Sequence, residues 1–136
     1  MVRLAQHEVV IDAPAAEVYR QLTTVDGLLR WIAVSVPVPG GRLQWTHENG
    51  ATMVGRFLEL DPPRRLVIAY GWKDDLMGVP PESTIVEIDL MERDGRTTLK
   101  PVHKSLPPDV VDDHLRDWIY FLARLQGSWK AASDPS

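Results

Sequence analysis

The stretch PPDVVDDHLRDWIYFLARLQGSWKA, residues 107–131, decides the architecture. Within it Val111, Leu115, Trp118, Leu122, Leu125 and Trp129 follow at intervals of four, three, four, three and four residues. An α-helix turns once in 3.6 residues, so this spacing gathers all six on one side. Pro108 suits the first helical position, where a missing N–H leaves no bond unmade. Asp109, Asp112 and Asp113 sit in the first turn while Arg124 and Lys130 lie near the end, as the helix dipole favours. At 1.5 Å per residue the helix is roughly 34 Å long, the width of a small domain. A helix of that length, burying Trp118 and Trp129, needs a broad apolar partner.

The residues upstream supply one. Leu4 to Asp12 reads as a strand, and Pro14 opens a short helix with Val18, Tyr19 and Leu22 on its buried side. Gly27–Trp31 reads as a second short helix, and Val34–Val38 as an edge strand, since Pro37 cannot donate to a ladder. Strands then follow over Arg42–Thr46, Thr52–Leu60, Leu66–Trp72, Ser83–Leu90 and Thr97–His103, punctuated by Asn49-Gly50, Asp61-Pro62-Pro63 and Asp94-Gly95. Asn49-Gly50 is expected to form a type I′ turn. Pro101, inside the last strand, is expected to face away from the ladder or to sit at a bulge. Consecutive hairpins make an antiparallel sheet, and a strongly twisted sheet curls. The fold expected is α+β: a curved sheet of about six to seven strands wrapped around the long C-terminal helix, with two short helices after the first strand.

Length and composition narrow the function. At 136 residues a single domain is expected over residues 1–131, with a short tail at 132–136. The chain has no Cys, so thiolate-zinc sites and thiol nucleophiles are excluded. His7, Glu8 and Asp12 stand where a signal peptide needs an apolar run, and a cytoplasmic location is expected. No apolar run approaches the roughly 20 residues of a membrane span, so no membrane partner is expected. A net charge of −4 without a Lys/Arg block argues against nucleic acid.

The pieces Ile11-Asp12-Ala13-Pro14 with Glu17-Val18-Tyr19, Leu28 to Trp31, and Pro39-Gly40-Gly41-Arg42 carry a resemblance. So do Gly50, Gly55, Leu60 to Leu66, Ser83-Thr84, Thr97 through His103, and Trp118 with Leu122 and Leu125. In this order and spacing, over about residues 7 to 126, the chain resembles the START-like helix-grip superfamily (SRPBCC, with the birch-pollen allergens and polyketide cyclases). Within it the chain is most similar to the group named after the C-terminal domain of the activator of heat-shock protein 90 ATPase. Two positions depart from the pattern: Tyr19 where the family usually has Trp, and Asp117 where a Gly commonly precedes the helix Trp. The full chaperone activator carries much of its chaperone contact on a separate N-terminal domain, which is not expected in these residues.

The resemblance implies a hollow between sheet and helix that holds a small apolar or aromatic molecule. Its candidate lining is Trp45, Met53, Phe57, Ile68, Tyr70 and Trp72 from the strands, with Val86, Ile88, Leu99 and His103. Leu115, Trp118 and Leu122 would face them from the helix, with Trp31 at one end and the loop Lys73–Glu82, bearing Leu76 and Met77, as a flap. The same stripes also read as plain core, and His103 as a histidine satisfied by a backbone group. Two other readings stay open. One is a cyclase- or hydrolase-like enzyme using His103 and Tyr70 for acid–base work; the other is a homodimer or chaperone accessory, with Leu76 and Met77 as a contact. His7, His47, His103 and His114 show no metal-ligand spacing, and no P-loop, nucleophile elbow or dinucleotide fingerprint is present, so neither metal nor cofactor is expected.

Overall fold

A computed structural model of the chain describes residues 4–25 and 31–133, with side chains as far as residue 129. Eight strands form one antiparallel sheet: β1 Ala5–Gln6, β2 Val9–Ile11, β3 Ile32–Ser35, β4 Arg42–Thr46, β5 Thr52–Asp61, β6 Arg65–Tyr70, β7 Thr84–Arg93 and β8 Arg96–Lys104. Among the described residues two α-helices accompany it, α1 Ala15–Thr23 and α2 Val111–Ser133, the latter led in by a 3₁₀ turn at Pro108–Val110. The spatial order is β1-β8-β7-β6-β5-β4-β3, and β2 continues β1 along β8. This is the helix-grip arrangement, a curled sheet closed by its last helix. The second short helix expected over Gly27–Trp31 falls on residues 27–30, which lie outside the described part.

The strand expected from Leu4 to Asp12 is divided at His7-Glu8, and Pro101 is the reason. Ala5 pairs with His103 and Val9 with Leu99, so the register runs unbroken through the gap. His7 donates its N–H to the Pro101 carbonyl at 3.4 Å, but Pro101 has no N–H to return. One ladder bond is missing and the strand is interrupted there, without a bulge. The edge strand expected over Val34–Val38 instead covers Ile32–Ser35, and Val36 and Val38 are exposed beyond it.

The β4–β5 hairpin corrects a second expectation. Only Gly50 takes positive φ there (+87°), and Gly50 N–H donates to His47 O at 2.9 Å. The turn is therefore a three-residue loop with Gly at its left-handed position rather than type I′, which needs positive φ at two successive residues. Asp94-Gly95 does meet that requirement, with φ of 54° and 78° between paired Arg93 and Arg96.

Alternation sets the core. Met53 and Phe57, Leu66, Ile68 and Tyr70, and Val86, Ile88 and Leu90 all point inward and are buried. α2 lays Val111, Trp118, Leu122 and Leu125 on them, and each fully buried large side chain contributes about 1.5–3 kcal/mol. α1 plugs one end with Val18 and Leu22, and Glu92 of β7 accepts from the Ala15 N–H at 2.7 Å at its first turn.

Candidate functional site

Two histidines lie between α2 and the sheet, both fully buried. The indole N–H of Trp118 donates to His103 Nδ1 at 3.1 Å. An indole only donates, so Nδ1 is the acceptor and the ring proton sits on Nε2. Nε2–H then donates to Thr84 Oγ1 at 2.8 Å, and the Thr84 hydroxyl donates to Tyr70 O at 2.7 Å. His114 is fixed in the opposite tautomer. Trp72 Nε1 donates to its Nε2 at 2.9 Å, leaving Nδ1–H to donate to Val110 O at 2.8 Å. Loss of water, with the His114 ring nearby, lowers the His103 pKa from 6.5 to about 3. Burial raises the Tyr70 phenol pKa. The two imidazole centroids are 5.3 Å apart, yet all four ring nitrogens are already engaged. No cluster of three metal-ligating side chains occurs among the described residues.

Above this layer the interior is filled by rings. Trp45 meets Trp118 edge-on at 6.4 Å and Tyr70 at 6.5 Å, and Tyr70 lies 4.5 Å from His103. The space remaining among Trp45, Tyr70, Trp118, His47, Asp117 and Phe121 is about 10 Å³, the room of one water at most. Met53, Phe57, Ile68, Val86, Ile88, Leu99, His103 and Leu122 are packed core, and Leu115 is half-buried against it.

The open space is higher, at the mouth between the β4–β5 hairpin, α2 and the segment Lys73–Gly78. There a groove of about 480 Å³ is walled by Trp31, Trp72 and Phe121, with Leu76 and Met77 along one side. The structure thus brings Trp31 and Trp72 to the groove together with the two flap residues, and places the other candidate residues beneath it. Phe121 stacks on Trp31 with centroids 3.9 Å apart and on Trp45 at 5.7 Å.

Sequence reasoning passed over several groove residues. Phe121 was legible: His114, Trp118, Phe121 and Leu125 form a second stripe at helical spacing, one step round from the first. His47, Thr46 and Asn49 come from the hairpin, where only the chain's return path brings them near α2. Asp117, a departure from the family pattern, lies on the groove wall, exposed toward it and beside Phe121. Burial on its inner side raises its pKa, an effect that His114 and His47 partly oppose. Burial lowers the His47 pKa, with Asp117 pulling the other way. His47 Nε2 is buried with no hydrogen-bond partner among the described residues.

The family described as Activator of Hsp90 ATPase homolog 1-like protein matches residues 12–128. The chain belongs to that family. No curated protein matches the sequence. Among solved structures, DynU16, a protein of the dynemicin biosynthetic locus, superposes with a TM-score of 0.78 at 19% identity, over 95% of this chain and 48% of that one. This chain therefore spans about half of that protein. The Aha1 dimer of Colwellia psychrerythraea gives 0.76 at 22% identity over 97% of this chain and 99% of that one. An HSP90 activator from Plasmodium falciparum gives 0.59 at 19% identity over 76% and 74%. At these identities the likeness is one of fold. No helix among the described residues is long and apolar enough to cross a membrane.

Proposed function

We propose that this family member binds a small hydrophobic or aromatic ligand in the groove between the β4–β5 hairpin, α2 and Lys73–Gly78. The carrying observation is the groove itself: about 480 Å³, within the size range of small-molecule sites, with aromatic walls at Trp31, Trp72 and Phe121 beside the polar side chains of the hairpin and α2. Its depth stops at Phe121 and Trp72, so the guest lies at the mouth and not in the core. Asp74, Asp75 and Met77 hold positive φ of 61°, 54° and 58°, a costly backbone for such residues, in the segment that carries Leu76 to the rim.

The test is a thermal-shift screen with aromatic and fatty compounds. A ligand at a hundred times its Kd raises stability by about 2.7 kcal/mol. Leu76→Asp, at an exposed position, is expected to abolish the shift while the free protein melts as before. A screen in which no compound stabilises the protein, with tryptophan fluorescence unchanged, removes the proposal.

Catalysis through His103 and Tyr70 finds less support, since both lie beneath the groove floor and the basic nitrogen of His103 is occupied by Trp118. A second reading, self-association, is favoured by the exposed Ile119 and Tyr120 on α2. Sedimentation velocity of the protein and of Tyr120→Glu tests it: a monomer at all concentrations ends that reading.

A further inference from the structure

Resting on that binding site, we propose that the groove selects a protonated amine carried on an aromatic body. Its ring would lie against Trp31 and Trp72 and its ammonium against Asp117. Charge complementarity within the groove favours such a guest. Among the described residues three charged side chains line the groove: Glu48, Asp117 and Arg124. Arg124 forms an ion pair with Glu48, and its guanidinium lies 5.8 Å from the Tyr120 ring centroid. That cation is already taken. Arg116, one residue from Asp117, is paired with Asp113. Asp117 has no hydrogen bond or ion pair among the described residues. It is a carboxyl group set beside Phe121, with one side turned from water, and among the described residues no cation pairs with it directly, although His114, His47 and Arg116 lie near enough to ease its charge.

The neighbouring groups suit the same guest. The His47 ring borders the groove beside Asp117, while its unpartnered Nε2 is turned inward and buried. Trp72 lies 5.4 Å from the His47 ring, and an indole face is the strongest aromatic partner for a cation. An ammonium has hydrogens for Asp117 and a charge for both carboxylate and indole. A carboxylate ligand would instead meet Asp117 as a like charge, and a neutral hydrocarbon would leave the Asp117 carboxylate without a partner.

The test is isothermal titration calorimetry with three probes of one shape: naphthylmethylamine, naphthalenemethanol and naphthylacetate. The amine is expected to bind about tenfold more tightly than the alcohol, and the acetate most weakly. Asp117→Asn should erase the gap between amine and alcohol and leave the alcohol's affinity in place. Added salt should narrow the gap in the native protein, because the attraction is partly screened. Alcohol binding with no preference for the amine, or a preference that survives Asp117→Asn, overturns the assignment while the groove remains a binding site. Absence of binding by all three removes the assignment and the site together.

Discussion

Trp118 on α2 and His103 on β8 are joined by a 3.1 Å hydrogen bond from indole to imidazole, in a place neither ring shares with water. The bond fixes the imidazole as neutral, because its acceptor nitrogen is the one a proton would need. Burial, with the His114 ring nearby, lowers the His103 pKa on folding from 6.5 to about 3. Between those values the unfolded chain binds a proton that the native state refuses. Stability from this group is complete above pH 6.5 and falls by about 1.4 kcal/mol per pH unit as acid is added, until the folded pKa is reached. Urea melts at pH 8 and pH 5 should differ by about 2 kcal/mol from this source. His103→Gln should start less stable at pH 8 and lose less on acidification. Equal slopes for the two proteins would show that His103 does not set the acid limit.

The second histidine makes a different prediction. Trp72 donates to His114 Nε2 at 2.9 Å, and His114 Nδ1–H returns to Val110 O in the preceding turn. Trp72→Phe keeps most of the ring but leaves a buried imidazole nitrogen without its donor, which costs about 1–3 kcal/mol. His114→Phe combined with Trp72→Phe removes both partners, so the double variant should be more stable than the sum of the single losses implies. A double-mutant cycle by chemical denaturation reads this directly; strict additivity would mean the bond contributes nothing.

How much of this was legible in the sequence depends on range. The α2 stripe Val111, Leu115, Trp118, Leu122, Leu125, Trp129 and the strand faces follow from local periodicity, so the fold could be read from them. Pro101 was recognisably awkward, but the split it causes at His7-Glu8 lies on the neighbouring strand and depends on register. The same limit applied at the site. Whether a stripe of aromatic residues encloses a hollow or fills it depends on how Trp45, Trp118 and Phe121 interlock, to within an ångström or two. No spacing rule carries that. His47 and Asp117 meet only because the hairpin and helix converge.

Two glycines should respond in opposite directions to the same added methyl. At Gly71 a Cβ would stand 1.8 Å from the Pro80 carbonyl oxygen and 2.7 Å from Pro81 Cα, both main-chain atoms that cannot swing aside. Gly71→Ala must push Pro80 and Pro81 outward, at a cost of about 1–3 kcal/mol. Gly127, in the middle of α2, has open space where its Cβ would be. Gly127→Ala should raise stability by about 0.5–1 kcal/mol through better helix propensity. Thermal denaturation of the pair gives both signs; a neutral Gly71→Ala would mean that the Pro80 segment is free to move.

Phe121 borders both the groove of about 480 Å³ and the space of about 10 Å³ beneath it, and with His47 and Asp117 forms the partition between them. Its ring stacks on Trp31 at 3.9 Å and on Trp45 at 5.7 Å, and these two contacts hold it in place. Removing it should have two separable effects. The lost burial and stacking should lower stability by about 3 kcal/mol, in the range for truncating a buried Phe. The two spaces should also merge and expose Trp45 and Trp118 to the groove, so that a three-ring alcohol such as anthracenemethanol gains affinity relative to naphthalenemethanol. Phe121→Leu keeps most of the volume and should show little of either change. Titration of both alcohols against the native protein and the two variants checks the argument. If Phe121→Ala loses stability without any shift toward the larger guest, the core has collapsed into the gap and the floor of the groove does not depend on this ring.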